Sequence, residues 1–371
     1  MTPPTGPRPV PWIATLAPAT HGSVDASTHG DGHDLAAVLD FSVNGNVVGP
    51  PPAVAAALTE IDLSQYPDRG ALRLRHAIAE RDQFAADDVV VGNGSSELIW
   101  AVARAYLAPG DLAAVLTPTY GEYEVASRAT GARVDFWPPT PFERSPGGPL
   151  PTIDPAEVSL RLERGRPRLL WLCHPNNPTG APGPIAALGG WIKLLPETLF
   201  VVDEAYLTLS KGLQSAASLI SHGNVVVLRS LTKDVGLAGL RVGYLLAAPE
   251  IADVVRRALP PWSVSSVAQA GALAAIADWP HLERARSAVA ASRAHLVAGL
   301  KRLGLHAYSS STSFVLVSVG AAQEVTRQLW ARGLAVRDCT SFGLPDCIRV
   351  GVRSIPDQER LLAALTEVIG G

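Results

Sequence analysis

From about Leu39 onward, short apolar runs alternate with longer segments whose apolar positions recur at helical spacing. The runs at Asp88–Val91, Leu112–Leu116, Arg133–Trp137, Leu169–Cys173, Leu199–Val202, Val225–Leu228 and Val242–Ala247 predict strands, and Leu72–Phe84 and Ser96–Leu107 predict helices. Nearly continuous apolar strands separated by helix-length segments predict an α/β fold, with a mainly parallel sheet covered on both faces. Ahead of them, LDFSVNGN reads as a short strand and a turn, and a helix is entered through Pro50–Pro52. After Pro260-Pro261 the pattern changes. Long helical segments at Val264–Ala277 and His281–Leu303 lead into strands near Leu305–Tyr308, Phe314–Ser318, Ala335–Arg337 and Ile348–Val352, with helices at Ala322–Arg332 and Asp357–Ile369. This predicts a smaller α+β unit. The expected division is 1–49 as an N-terminal arm and small-domain segment, 50–260 as the large domain and 261–371 as the small one.

The first 34 or so residues show neither period. Six prolines precede Ala19, and a Gly/His/Asp-rich piece runs from His21 to Asp34, so an arm is expected, flexible or laid across another surface. His21, His29 and His33 are irregularly spaced on no scaffold, and no metal site is expected there. The net charge of −3 gives no footprint for nucleic acid. No apolar run reaches transmembrane length, and the N-terminus lacks a signal-peptide pattern. Three cysteines without a CxxC pair argue against a disulfide framework. A reduced, cytoplasmic enzyme is the class these features leave.

Ligands of such sheets gather at the carboxyl ends of strands, and five strand ends carry suggestive side chains. Gly92-Asn93-Gly94-Ser95-Ser96-Glu97 is a glycine-rich turn opening a helix, either a phosphate cradle or a simple helix cap. Tyr120, in TPTYGEY, offers a ring that could stack on a planar group or fill the core. Asn177 lies in HPNNPTG, and Asp203 and Tyr206 in DEAY. A carboxylate ending a buried strand needs a partner. In RSLTKDVGLAGLRVGY, Lys233 sits among small and hydroxylated residues, with Ser230 and Thr232 before it and Arg241 after. Desolvation favours the neutral amine, the form that makes a Schiff base with an aldehyde. A lone lysine is as readily a solvated loop residue, and it is the ordered set of five strand ends that decides.

That set resembles fold-type I enzymes of pyridoxal 5'-phosphate, specifically the class I/II aminotransferases, from about Leu39 to near the C-terminus. Within them it is most similar to the branch holding histidinol-phosphate aminotransferase and threonine-phosphate decarboxylase. The resemblance implies a large domain with a seven-stranded sheet plus a small C-terminal domain. It implies Lys233 as the Schiff-base lysine, Asp203 at the pyridine nitrogen, Asn177 and Tyr206 on the ring oxygen, and Tyr120 stacked on the ring. Gly94, Ser95, Ser96, Ser230, Thr232 and Arg241 would hold the phosphate. Tyr66, in SQYPDRG, would reach the partner's cofactor phosphate in a homodimer. Arg349, in CIRVGVR, would clamp the substrate carboxylate, and Arg337, in AVRDC, a distal phosphate, with Asn44 and His21 lining the substrate pocket.

Departures from the decarboxylase pattern fall on the substrate side, at His21-Gly22-Ser23-Val24 and Asn46-Val47-Val48-Gly49-Pro50-Pro51. The expected reaction is transamination of an amino acid or amino-alkyl phosphate with a polar or anionic side chain. Decarboxylation, and elimination or cyclisation, are the alternatives. A regulator built on such a domain would need a DNA-binding unit for which the first 34 residues are too few.

Overall fold

The computed structural model describes residues 7–24, 35–138 and 145–370. Asp25, His29 and His33 lie outside them. Among the described residues, no helix is long and apolar enough to cross a membrane, and no group of three or more His, Cys, Asp or Glu side chains could hold a metal ion. Cys173, Cys339 and Cys347 are all buried.

The strands are β1 (Leu39–Asp40), β2 (Val89–Gly92), β3 (Leu112–Leu116), β4 (Arg133–Trp137), β5 (Leu169–Cys173), β6 (Leu199–Asp203), β7 (Val225–Ser230), β8 (Gly243–Ala247), β9 (His306–Ala307), β10 (Phe314–Ser318), β11 (Leu334–Ala335), β12 (Arg337–Asp338) and β13 (Cys347–Gly351). Seven form one sheet in the order β2-β8-β7-β6-β5-β3-β4. From β4 across to β7 the neighbours are parallel. β8 runs antiparallel to both β7 and β2. The physical reason lies in the link from Ser230 to Gly243, which is taken up by a one-turn helix, Leu231–Asp234, and a 3-10 turn, Ala238–Leu240. With those residues spent on short turns the link holds no crossover helix, and the next strand returns antiparallel.

Alternate side chains face opposite ways along each strand, and both faces are apolar. Val89, Leu116, Leu170, Phe200, Val202, Val227 and Leu246 pack on one side. Val90, Val115, Trp171, Val201, Val226 and Leu245 pack on the other, under the helix Gly94–Tyr106.

The C-terminal sheet has the order β12-β13-β10-β9 and is antiparallel. The run expected as one strand at Ala335–Arg337 is two short strands. Leu334-Ala335 pairs parallel with Leu39-Asp40, and Arg337-Asp338 joins β13. The N-terminal segment is thereby stitched to the small unit, where Phe41 shares a core with Val315, Val317, Ile348, Leu361 and Leu365.

Val264, Ala268, Ala272 and Ala275 pack in the core of the large sheet with Val54 and Leu74, and the last three lie on the helix Ser266–Ile276. The arm is laid across the large unit, one of the two arrangements expected for it. Residues Pro11–Ala14 form a turn of helix, Trp12 Nε1 donates to the Ala129 carbonyl at 3.0 Å, and its ring lies against Gly131.

Phe200 is fully buried in the central strand. Phe200→Ala should lower unfolding stability by about 3–5 kcal/mol. Leu160→Ala, at a half-exposed position, should change it by less than about 0.5 kcal/mol. Urea unfolding of both variants checks the contrast.

Candidate active site

The carboxyl ends of β5, β6 and β7, the turn after β2 and the strands β12 and β13 enclose a cleft of about 840 Å³, its mouth included. Ser95, Ser96, Tyr120, Asn177, Asp203, Tyr206, Ser230, Thr232, Lys233, Arg241, Arg337, Arg349, Asn44 and His21 all line it, so the structure brings the predicted set together. Gly94 stands at its rim as the first residue of the helix Gly94–Tyr106. Tyr66 does not join it. That ring is 81% exposed and stacks on Trp262 at 5.0 Å, with Leu63 exposed nearby in sequence.

At one end of the cleft are the free backbone N–H groups that begin the helix, with Ser95 and Ser96 in its first turn. Ser96 is therefore not the cap; the Glu97 carboxylate accepts from the Asn93 N–H at 2.6 Å instead. Gly94 has φ +78°, and a Cβ there would stand 2.7 Å from Arg241 Nη2. A Cβ on Gly243 would meet the Ser95 nitrogen at 2.6 Å. Both glycines keep open a cradle whose N–H groups and guanidinium suit an anion. Arg241 is itself held in the left-handed region at φ +54°, with its Nη1 donating to the Ala238 carbonyl at 3.3 Å.

On the floor lies Asp203, nearly fully buried at the end of β6. Its Oδ2 accepts from the Tyr123 hydroxyl at 2.7 Å and its Oδ1 from the Ala205 N–H at 2.9 Å. Burial pushes its carboxyl up against these two donors, so a cation at the cleft side would restore the charged form. Tyr120 stands over the same floor, edge-on to Tyr123 at 5.6 Å.

Lys233 faces the cleft from the turn after β7. Its amine makes no hydrogen bond or ion pair among the described residues. Burial first, then the Arg349 and Arg241 cations, push it down to about 8. A largely buried, unpaired amine of that kind is a nucleophile near neutral pH.

At the other end, Arg349 is buried, donating to Asn177 Oδ1 at 2.5 Å and to the Ser42 carbonyl at 2.6 Å, and its Nε has no partner. Arg337 donates to Thr20 and Asp338 carbonyls and to Ser341 Oγ, and lies 5.0 Å from the Phe342 ring centre. Asn44 Nδ2 donates to the Tyr206 hydroxyl at 3.0 Å, while its Oδ1 is buried and unpaired. Unpaired polar atoms converging on a cleft mark a site built to receive a polar ligand.

Three residues of this site escaped the sequence reading. Tyr123 reads as core and is stacked on Trp171 at 5.1 Å, yet it supplies a hydroxyl to Asp203. Glu122 ties His21 to Trp100. Asp234, next to Lys233, is buried with neither carboxylate oxygen hydrogen-bonded, and burial pushes it up to about 7. Only Asp234 carried a signal, an acidic residue inside an apolar stretch.

The family model for aminotransferase class I and II matches residues 36–367. A histidinol-phosphate aminotransferase of Symbiobacterium thermophilum is 37% identical over 343 residues, covering 91% of each chain. The structure of a histidinol-phosphate aminotransferase from Sinorhizobium meliloti in complex with pyridoxal-5'-phosphate superposes with a TM-score of 0.84 at 25% identity, over 98% of each chain. An L-threonine-O-3-phosphate decarboxylase from Porphyromonas gingivalis, at 23% identity and TM-score 0.73 over 89% of this chain and 99% of that one, shares the fold. The chain belongs to the class I and II aminotransferases, and the family resemblance drawn from its sequence holds.

An anion cradle, a buried carboxylate awaiting a cation and an unpaired amine fit pyridoxal phosphate. Uptake of that cofactor by stripped protein should rise as the Lys233 amine loses its proton, with a midpoint near pH 8. Arg349→Gln removes a cation that holds the amine down, so the midpoint should move to higher pH. Absorbance-monitored uptake between pH 6 and about 10 checks both.

Proposed function

We propose that this aminotransferase exchanges the amino group of an amino-alkyl phosphate, histidinol phosphate being the leading candidate, with a 2-oxo acid. The enzyme is a pyridoxal-phosphate-dependent transferase. Bound at Lys233, the cofactor supplies an electron sink for the bonds at the carbon that carries the amine. Asp203, fixed by Tyr123 and Ala205, would hold the ring nitrogen charged. The Gly94–Ser96 turn with Ser230, Thr232 and Arg241 would hold the phosphate. Tyr120 would cover one face of the ring, and Asn177 and Tyr206 would serve its oxygen. Lys233 would take the proton from the substrate carbon that carries the amine, a task suited to an amine near 8.

The observation that carries the substrate class is the pair of buried guanidiniums, Arg337 and Arg349, facing one end of a single cleft. A buried cation needs an anionic partner. Guanidiniums suit both anions of this reaction: Arg349 the carboxylate of the oxo acid, Arg337 the phosphate of the amine. The relative that is 37% identical bears the name histidinol-phosphate aminotransferase, which supports the same choice.

We read the assembly as a homodimer. Tyr66, Leu63, Leu72 and Trp262 are exposed apolar side chains, and Tyr66, which stands outside its own cleft, would serve the partner's. We read the arm and residues up to 49 as part of the small unit, with the large unit between them and the C-terminal sheet.

Purified enzyme given histidinol phosphate and a panel of 2-oxo acids should consume the amine and form the matching amino acid one for one. Release of carbon dioxide or of inorganic phosphate instead would show the alternative chemistries. Lys233→Ala should abolish turnover. Arg337→Gln should raise KM for the phosphorylated amine by roughly 10–100-fold, the loss of charge-assisted hydrogen bonds worth about 1.5–3 kcal/mol, while sparing KM for the oxo acid.

A further inference from the structure

The substrate end of the cleft is closed by a piece of chain with no regular structure. Thr20, His21 and Gly22 line it, and they reach it from a one-turn helix hooked by Trp12 onto Ala129 and Gly131. The fit along this path is close. A Cβ on Gly121 would touch that of Ala19 at 3.3 Å, and a Cβ on Gly22 would stand 2.4 Å from the Ser42 carbonyl oxygen and 3.2 Å from Arg337 Cδ. Two polar contacts tie the arm to the cleft. Arg337 Nη2 donates to the Thr20 carbonyl at 2.9 Å, and His21 Nε2 meets Glu122 Oε1 at 2.8 Å.

Glu122 is the better placed of the two to decide where the arm stands. It begins the helix Glu122–Arg128, two residues after the ring of Tyr120, and its side chain is mostly covered. Its second oxygen accepts from the Trp100 indole at 2.8 Å. Trp100 belongs to the helix that opens at the phosphate cradle, so one carboxylate joins that helix to the arm. The hydrogen bonds from His21 and Trp100 hold the Glu122 carboxyl below its usual range despite some burial.

A carboxylate only accepts, so the proton between the two groups sits on His21 Nε2. Nε2–H turns to Glu122 and 5.7 Å separates the imidazole and Tyr120 centroids; in the imidazolium form Nδ1–H is a second donor, which lets the ring meet an anion in the cleft it lines. Arg337, against the residues on either side of His21, donates to the arm's own backbone at Thr20. Losing the Glu122 bond would therefore release both the imidazole and the cover over Arg337.

We propose that Glu122 is a positioning residue that clips the N-terminal arm over the cleft and sets His21 beside Arg337 to receive the distal anionic group of the substrate. This rests on the reading of an amino-alkyl phosphate as substrate. Glu122 stands outside the lining of the cleft, so it governs binding and not the chemical step.

The test uses holoenzyme and two readouts. Limited chymotrypsin digestion measures release of the arm after Trp12 or Leu16. Steady-state kinetics with histidinol phosphate separate KM from kcat. Glu122→Ala and His21→Ala should each speed arm cleavage and raise KM by about 10-fold or more, the scale of one charge-assisted hydrogen bond, with kcat within about threefold. Glu122→Gln, which can accept from Trp100 and donate to the imidazole, should restore slow cleavage. Cleavage of both alanine variants at the wild-type rate, or a fall in kcat with KM unchanged, would overturn the proposal. His21→Ala removes a partly exposed side chain, so it stays informative if Glu122→Ala fails to fold. Failure of the wild type to turn over histidinol phosphate would sink the substrate reading alone, and the proteolysis comparison would still decide the clip.

Discussion

A carboxylate with almost no solvent exposure sits at the carboxyl end of the central strand, and much of the site is arranged around keeping it charged. Asp203 is carried there by β6, flanked in register by β5 and β7. Burying it without partners would cost several kcal/mol. The protein supplies two donors, from Tyr123 and Ala205, and leaves the cleft side of the group for a cation. Tyr123 in turn stacks on Trp171, whose indole is tied to Ser127 at 3.0 Å. The sheet and the helix Glu122–Arg128 thus fix one oxygen atom through a short rigid chain. On the other side of the sheet end, Glu204 is satisfied separately by Arg229, Ser215 and the Ala216 N–H. Two adjacent carboxylates have two fates because the strand turns them to opposite faces.

The same geometry explains the amine. The short return from β7 to β8 forces a one-turn helix after Ser230, and that turn delivers Lys233 to the cleft among Arg241 and Arg349. Burial and two cations both disfavour the ammonium form, so the lysine is prepared for imine chemistry before any ligand arrives. The antiparallel β8 is then part of the site: it holds Gly243 against Ser95 and so shapes the anion cradle. Arg337 and Arg349 enter from the small unit, which means that the substrate end is assembled between the two sheets.

Much of this was legible in the chain. The strands Leu112–Leu116 and Leu169–Cys173 appear where unbroken apolar runs predict them, since strands buried on both faces need no polar alternation. The polar residues at strand ends gathered as the topology rule requires. The less legible parts have physical reasons. Ala335–Arg337 reads as one strand, yet its two ends serve two sheets, a partition that depends on Leu39-Asp40 lying far away in sequence. Val264–Ile276 follows a Pro-Pro break and still packs back on the large core through Ala268 and Ala272. Tyr123, Glu122 and Trp100 look like ordinary helix and core residues, and only the fold aims their polar atoms at Asp203 and His21. The arm has no period to read, because single side chains such as Trp12 and His21 hold it rather than a regular element.

The central claim is that one amine, made reactive by its surroundings, carries the cofactor. The chain has only four lysines, and Lys193, Lys211 and Lys301 are exposed while Lys233 faces the cleft. Reduction of the pyridoxal-phosphate-loaded enzyme with borohydride, followed by peptide mass mapping, tests this directly. The account predicts a single stoichiometric pyridoxyl adduct on Lys233. An adduct on one of the other three lysines in place of Lys233, or no adduct at all, would contradict it.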